Sequence, residues 1–181
     1  MQGFLSALKM SFHEANPHNR VLNHIALHVP DLDGAIEWYT KLFGFRRLRN
    51  PICCDRSTDP CAPIFRVYDN KLHKVKLAFL ATGNGVGFEL FQFIDPPMSE
   101  PAEFNYTRGG VFHIAITDPD PEALLERAIK AGAKQIGETV VPASCEKEGE
   151  RQLALYMQDP WGNVIEACSC SFEKMMANRD K

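Results

Sequence analysis

Asn23-His24-Ile25-Ala26-Leu27-His28-Val29-Pro30-Asp31 sets a histidine in an alternating apolar strand that runs straight into an amphipathic helix. Half a chain later Phe112-His113-Ile114-Ala115-Ile116-Thr117-Asp118 does the same. Each copy then ends in a strand with a glutamate among apolar residues, Phe88-Glu89-Leu90-Phe91 in the first and Val164-Ile165-Glu166-Ala167 in the second. The two histidines stand 89 residues apart and the two glutamates 77. A duplicated unit that contributes one imidazole and one carboxylate per copy is a means of building a two-His, two-Glu metal site.

Within the first copy, Asp31 occupies a helix N-cap position, and Ile36, Trp38-Tyr39 and Leu42-Phe43 follow at helical spacing until Gly44. The pattern then predicts a loop over 49–63 and strands at Ile64–Tyr68, Val75–Leu80 and Phe88–Ile94. In the second copy Val111–Thr117 reads as a strand and Asp118-Pro119-Asp120-Pro121-Glu122 as a helix start. Gly132 closes that helix, and strands follow near 135–141, 151–157 and 163–171. The expected class is α+β, with two βαβββ modules forming cupped mixed sheets. The expected organisation is an N-terminal arm or helix (1–20), a first module (21–94), a linker (95–108), a second module (109–171) and a tail (172–181). Gly83-x-Gly85-x-Gly87 has strands on both sides, so it is read as a hairpin turn and not a phosphate loop.

Side chains two apart on a strand share a face. His24, Ala26 and His28 therefore form one row, Glu89, Phe91 and Phe93 a second, His113, Ala115 and Thr117 a third, and Glu166, Cys168 and Cys170 a fourth. The four rows are expected to line the inside of one curved sheet. Four ionisable groups gathered there need a compensating partner, and a divalent cation supplies one. The expected ligands are His24, Glu89, His113 and Glu166, with one ion of Ni, Zn, Mn, Co or Fe per site. A single strand histidine is more often a hydrogen-bonded structural residue; the matched placement in both copies is what favours ligands. His28, Phe91, Phe93, Thr117, Cys168 and Cys170 are expected to contact substrate and give the cavity an apolar end.

The composition narrows the partners. A net charge of −3 over 181 residues argues against nucleic acid and acidic membrane surfaces, which need a basic face. Local basic clusters remain at Arg46, Arg47 and Arg49 and at Lys71, Lys74 and Lys76, read as solvated strand edges or, alternatively, as an anion-steering mouth. No apolar run approaches the roughly 20 residues of a membrane span, and residues 1–10 make a poor signal peptide. The six cysteines fit neither a disulfide framework nor a zinc ribbon, which points to reduced thiols and a cytoplasmic protein. Phe4, Leu5, Leu8 and Phe12 fall at helix-like spacing and are expected to pack on the body or on a partner.

The whole pattern resembles the vicinal oxygen chelate superfamily. The resemblance rests on the two βαβββ copies, the strand histidine before Val29-Pro30-Asp31, the helix with Trp38-Tyr39, its ending Leu42-Phe43-Gly44-Phe45, and Asp159-Pro160-Trp161-Gly162-Asn163 before a strand glutamate. It covers about residues 21–171. The superfamily includes glyoxalase I, extradiol dioxygenases, methylmalonyl-CoA epimerase and the bleomycin and fosfomycin resistance proteins. By matching position, the resemblance places the metal ligands of glyoxalase-type members on His24, Glu89, His113 and Glu166.

Two departures argue against the glutathione hemithioacetal as substrate. His28 stands where similar glyoxalases carry an arginine, and Phe93 where they carry an asparagine. Methylmalonyl-CoA epimerases usually have glutamine at the position of Glu89, and for an extradiol dioxygenase Glu89 is surplus. The expectation is a glyoxalase-like lyase or isomerase acting on a substrate with vicinal oxygens through a metal-stabilised enolate or enediolate. Glu166, or Glu89 opposite it, is the expected base. The alternatives are an iron-dependent ring-cleaving dioxygenase and a non-catalytic small-molecule binding protein of the resistance type. A homodimer is expected, with each site either within a chain or shared between two.

Overall fold

Two sheets with the two longer helices packed between them make up the chain in the computed structural model, which describes residues 20–68, 70–99, 104–107, 109–141 and 152–176. The first half comprises β1 (His24–His28), α1 (Leu32–Phe43), β2 (Arg46–Arg47), β3 (Ile52–Asp55), α2 (Ile64–Val67), β4 (Lys74–Ala81) and β5 (Gly87–Asp95). The second comprises β6 (Ile114–Thr117), α3 (Pro121–Lys130), β7 (Lys134–Val140), β8 (Ala154–Gln158), β9 (Val164–Cys168) and α4 (Phe172–Met176). Strand order is β1-β5-β4-β2, with β3 also on β4, in one sheet and β6-β9-β8-β7 in the other. β1 runs parallel to β5 and β6 parallel to β9, while the remaining pairs are antiparallel. The expected N-terminal arm lies outside the described residues, as does the end of the tail.

Local chemistry sets the helix ends. Asp31 caps α1 by accepting from the Gly34 N–H, and Gly44 ends it at φ 67°, a left-handed conformation that glycine enters without cost. Asp120 caps α3 by accepting from the Ala123 N–H, with Pro121 in the first turn. Between Thr82 and Val86 the glycines form a hairpin turn, Gly85 at φ 83°, as read from the sequence.

One stretch differs from expectation. Ile64–Val67 is a helical turn, not a strand, and the strand that pairs with β4 is Ile52–Asp55, inside the expected loop. Pro63 opens α2 with a helical backbone that its ring favours, and Phe65 is buried against the sheet. Ala62, Phe65 and Leu72 pack onto Val75, Leu77 and Phe91, which register places on the same face as Glu89. Arg56 fastens the base of this loop: its N–H reaches the His73 carbonyl at 2.8 Å and its Nε the Leu72 carbonyl at 2.7 Å. The loop is therefore a wall folded down over part of that inner face.

The opposite faces build the core. Ala78, Leu80, Phe88 and Leu90 of the first sheet, Leu155, Met157, Ile165 and Ala167 of the second, and the apolar stripes of α1 and α3 form one cluster. Tyr39 and Asp159 lie at its centre, 2.7 Å apart through the phenol hydroxyl and Oδ2. Asp159 also accepts from the backbone N–H of Trp161 and Asn163 and from the Asn163 amide. Trp38 adds a bond from its indole N–H to the Ala131 carbonyl. Thus Trp38-Tyr39 and the Asp159–Asn163 turn are the two ends of one clamp between the halves. Burial raises the carboxyl of Asp159 above its ordinary range and, with Asp159 beside it, raises the phenol of Tyr39 as well.

Removing one end of this clamp strands a buried acceptor. We expect Tyr39→Phe to lower unfolding free energy by about 1–2 kcal/mol with an unchanged denaturant slope, and Asp159→Ala, which orphans several donors, to cost about 3 kcal/mol or more. Urea melts that leave both variants at wild-type stability would contradict the clamp.

Candidate metal centre

Backbone register places the imidazoles beside the carboxylates. On the first sheet Ala26 lies opposite Glu89 and His24 opposite Gly87. A Cβ at Gly87 would stand 2.8 Å from the Cβ of His24, so only glycine leaves room for that side chain. His24 Nε2 then lies 3.6 Å from Glu89 Oε2. On the second sheet Ala115 lies opposite Glu166, and His113, just before β6, brings its Nε2 to 3.3 Å from Glu166 Oε2.

The chemistry of each pair fits a shared cation. His24 Nδ1 is 2.7 Å from Asn23 Oδ1, and since a carbonyl oxygen only accepts, the ring proton sits on Nδ1. Nε2 is then a lone pair facing a carboxylate oxygen. A bare contact of that kind is repulsive, and a divalent ion between the two resolves it. The separations exceed the usual 2.9–3.0 Å of an N–H···O bond. They agree with the roughly 3.0–3.5 Å between two donors that each bind one ion at about 2.0–2.2 Å. His113 Nδ1 is buried and has no partner among the described residues. Both histidines present Nε2 toward the site, as a ligand pair would.

The pairs do not merge within one chain. Among the described residues no group of three or more His, Cys, Asp or Glu side chains is placed to hold an ion. The expectation of one curved inner surface is corrected here: the four rows lie on the inner faces of two sheets that turn their other faces to a common core. β1 and β6 are edge strands, and His24, Ala26, His28, Ala115 and Thr117 are all exposed. Each half-site is open along one side.

Around His24 and Glu89 the inner face is aromatic. His28 meets Phe93 edge-on with ring centroids 4.9 Å apart, Phe91 stacks on Phe93 at 5.8 Å, and Tyr68 approaches Phe93 at 6.1 Å. Around Glu166 the surroundings are different. Cys168 is buried beneath Met175 of α4 with Ala154, Cys170 borders that cluster, and Thr117 Oγ1 reaches toward the Cys170 carbonyl at 3.4 Å. A cavity of about 210 Å³ opens beside His113, lined by Leu27, Phe112, Asn163 and Val164 among others.

Tyr156 was not among the expected site residues. It pairs with Glu166 across β8 and β9, its ring stands edge-on to His113 at 5.4 Å, and its phenol lies beside the Glu166 carboxylate. Burial and then Glu166 push its phenol up to about 12, and the same two causes push the Cys168 thiol up to about 12. Both groups stay protonated at neutral pH beside the carboxylate. Counting back through the Asp159–Asn163 turn, which sets Gln158 against Val164, finds Tyr156 from sequence alone.

Residues 21–167 match the Glyoxalase/Bleomycin resistance protein/Dioxygenase superfamily, and the chain belongs to it. Its two sheets with sparse helices are the vicinal oxygen chelate fold. A glyoxalase family protein from Bacillus cereus superposes with a TM-score of 0.65 at 21% identity, covering 85% of this chain and 97% of that one. The fosfomycin resistance protein FosX from Listeria monocytogenes, complexed with Mn(II) and 1S,2S-dihydroxypropylphosphonic acid, superposes with a TM-score of 0.53 at 17% identity, covering 85% and 95%. In sequence, the chain is 29% identical over 147 residues to a 2-epi-5-epi-valiolone epimerase of an Actinomyces species, spanning 80% of this chain and 76% of that protein.

The His24 tautomer is directly measurable. In metal-free protein above the imidazole titration, ¹⁵N NMR should show His24 protonated on Nδ1, and Asn23→Ala should abolish that preference. A wild-type ring protonated on Nε2 would remove the argument for a ligand lone pair.

Proposed function

We propose that the protein is a divalent-metal-dependent isomerase or lyase whose site is completed by a second copy of the chain. The observation that carries this reading is the pair of open half-sites, each with an imidazole Nε2 facing a carboxylate oxygen at 3.3–3.6 Å. His24 and Glu89 of one copy, with His113 and Glu166 of the other, make a four-donor set on a C2 dimer, the commonest closed assembly. Pairing β1 of one copy along β6 of the other would cover both free edges and the exposed inner rows. An epimerase among the relatives supports proton transfer at carbon as the reaction type. The free thiols of Cys53, Cys54, Cys61, Cys168 and Cys170 fit a reducing compartment such as the cytoplasm.

When bound, a divalent ion supplies Lewis-acid polarisation of a carbonyl and a neighbouring oxygen of the substrate. The protein's own residues divide the remaining work. Glu166 is flanked by the protonated Tyr156 hydroxyl and Cys168 thiol, which suits it to stay in place as a ligand. Glu89 accepts no hydrogen bond among the described residues beyond its contact with His24, so its carboxylate is unrestrained and would be suited to take the proton next to the substrate carbonyl. The aromatic residues beside it, Phe91 and Phe93, exclude water from the substrate's apolar end. His28 against Phe93 leaves no guanidinium to hold a glutathione carboxylate at that position, so the hemithioacetal should be turned over poorly.

A mixing experiment tests the shared site. One variant carries His24→Ala and Glu89→Gln, the other His113→Ala and Glu166→Gln; each alone should bind no ion. Dissociated and reassociated together, they should recover about one quarter of the wild-type sites, because half of the dimers are mixed and each has one intact site. No recovery, or an ion retained by either variant alone, would refute the sharing.

The division between the carboxylates has its own test. Glu89→Gln should keep a bound ion while lowering solvent-deuterium exchange into a ketone substrate by at least about 100-fold, and Glu166→Gln should lose ion and exchange together. Equal behaviour of the two variants would contradict the assignment.

A further inference from the structure

Arg49 is the one arginine of the 46–49 cluster placed by a contact on the inner face of the first sheet. Its guanidinium carbon lies 5.8 Å from the centre of the Phe79 ring, and Phe79 is the direct cross-strand partner of Glu89. Arg46 pairs with Ala81 on the same face, one step further along β4, whereas Arg47 pairs with Leu80, whose side chain belongs to the core side. No carboxylate among the described residues forms an ion pair with Arg46 or Arg49, although the chain carries 23 acidic residues. Directly opposed strand residues are about 5 Å apart, so the guanidinium stands on the order of 10 Å from Glu89.

Charge accounting explains what such a cation is for. A divalent ion held by Glu89, Glu166 and two neutral imidazoles leaves the site without net charge, so it exerts no pull on a distant anionic tail. Arg49 supplies that pull. The aromatic ring beneath it restricts the guanidinium and keeps its edge free. The guanidinium fork of Arg49 matches the two oxygens of one carboxylate.

Resting on the metal-site reading above, we propose that Arg49 binds a carboxylate carried by the substrate on the order of 10 Å from its chelating oxygens. The substrate class is then an apolar, ring-sized acid: two vicinal oxygens at the metal, a body against Phe79, and a carboxylate at Arg49. Arg49 determines specificity and takes no part in moving the proton.

Zinc-loaded dimer titrated calorimetrically with three catechols tests this. Catechol supplies the vicinal oxygens alone, 3,4-dihydroxyhydrocinnamate adds a carboxylate at the proposed reach, and its methyl ester removes the charge. The acid should bind the wild type about tenfold more tightly than the ester, with the preference falling as salt rises. In Arg49→Gln the acid should bind no better than the ester, and Arg49→Lys should restore part of the preference. Equal binding of acid and ester to the wild type, or a preference that survives in Arg49→Gln, overturns the anchor while leaving the metal site intact. If none of the three binds zinc-loaded protein more tightly than metal-free protein, the metal site fails and the anchor fails with it.

Discussion

The buried bond from Tyr39 to Asp159 decides which way the chemistry faces. It joins helix α1 to the turn between β8 and β9, and the apolar faces of both sheets close around it. A sheet has only two faces. Once the helix-bearing faces are committed to this core, the rows that carry His24, Glu89, His113 and Glu166 are turned outward. A clamp far from the imidazoles thereby keeps the His24–Glu89 and His113–Glu166 pairs on separate sheets.

Each half-site is arranged by small local devices. Gly87 makes space for His24, and Asn23 sets the tautomer that turns its free nitrogen inward. In the second half the protonated Tyr156 and Cys168 side chains flank Glu166. On the reading proposed above, this asymmetry divides the work: Glu166 would keep the ion and Glu89 would carry the proton. The wall formed by α2 and the surrounding loop completes the contrast, covering part of the aromatic face of the first half.

Much of this was legible in the residues. Period-two alternation in His24–His28 and the capping signals at Asp31, Gly44 and Asp120 located β1, α1 and the start of α3. The repeated spacing of His and Glu brought each imidazole to its carboxylate. Ile64–Tyr68 misled because β-branched and aromatic residues favour strands, yet tertiary burial of Phe65 after Pro63 outweighed that preference. Ile52–Asp55 was hidden because prolines, cysteines and aspartates surround it, and only the register with β4 reveals it as a strand. Alternation tells which residues share a face, but not which sheets enclose a common space. The back-to-back packing was therefore invisible until Tyr39 and Asp159, 120 residues apart, were seen in contact.

Native mass spectrometry addresses the central claim, that the ion belongs to the dimer and not to the chain. Protein purified with its metal should give a dimer mass carrying two divalent ions, and the monomers released by gentle activation should retain an ion only when they have unfolded around it. Chelation should shift the solution population toward monomer. A compact monomer holding one ion, with the dimer unaffected by chelation, would contradict the account.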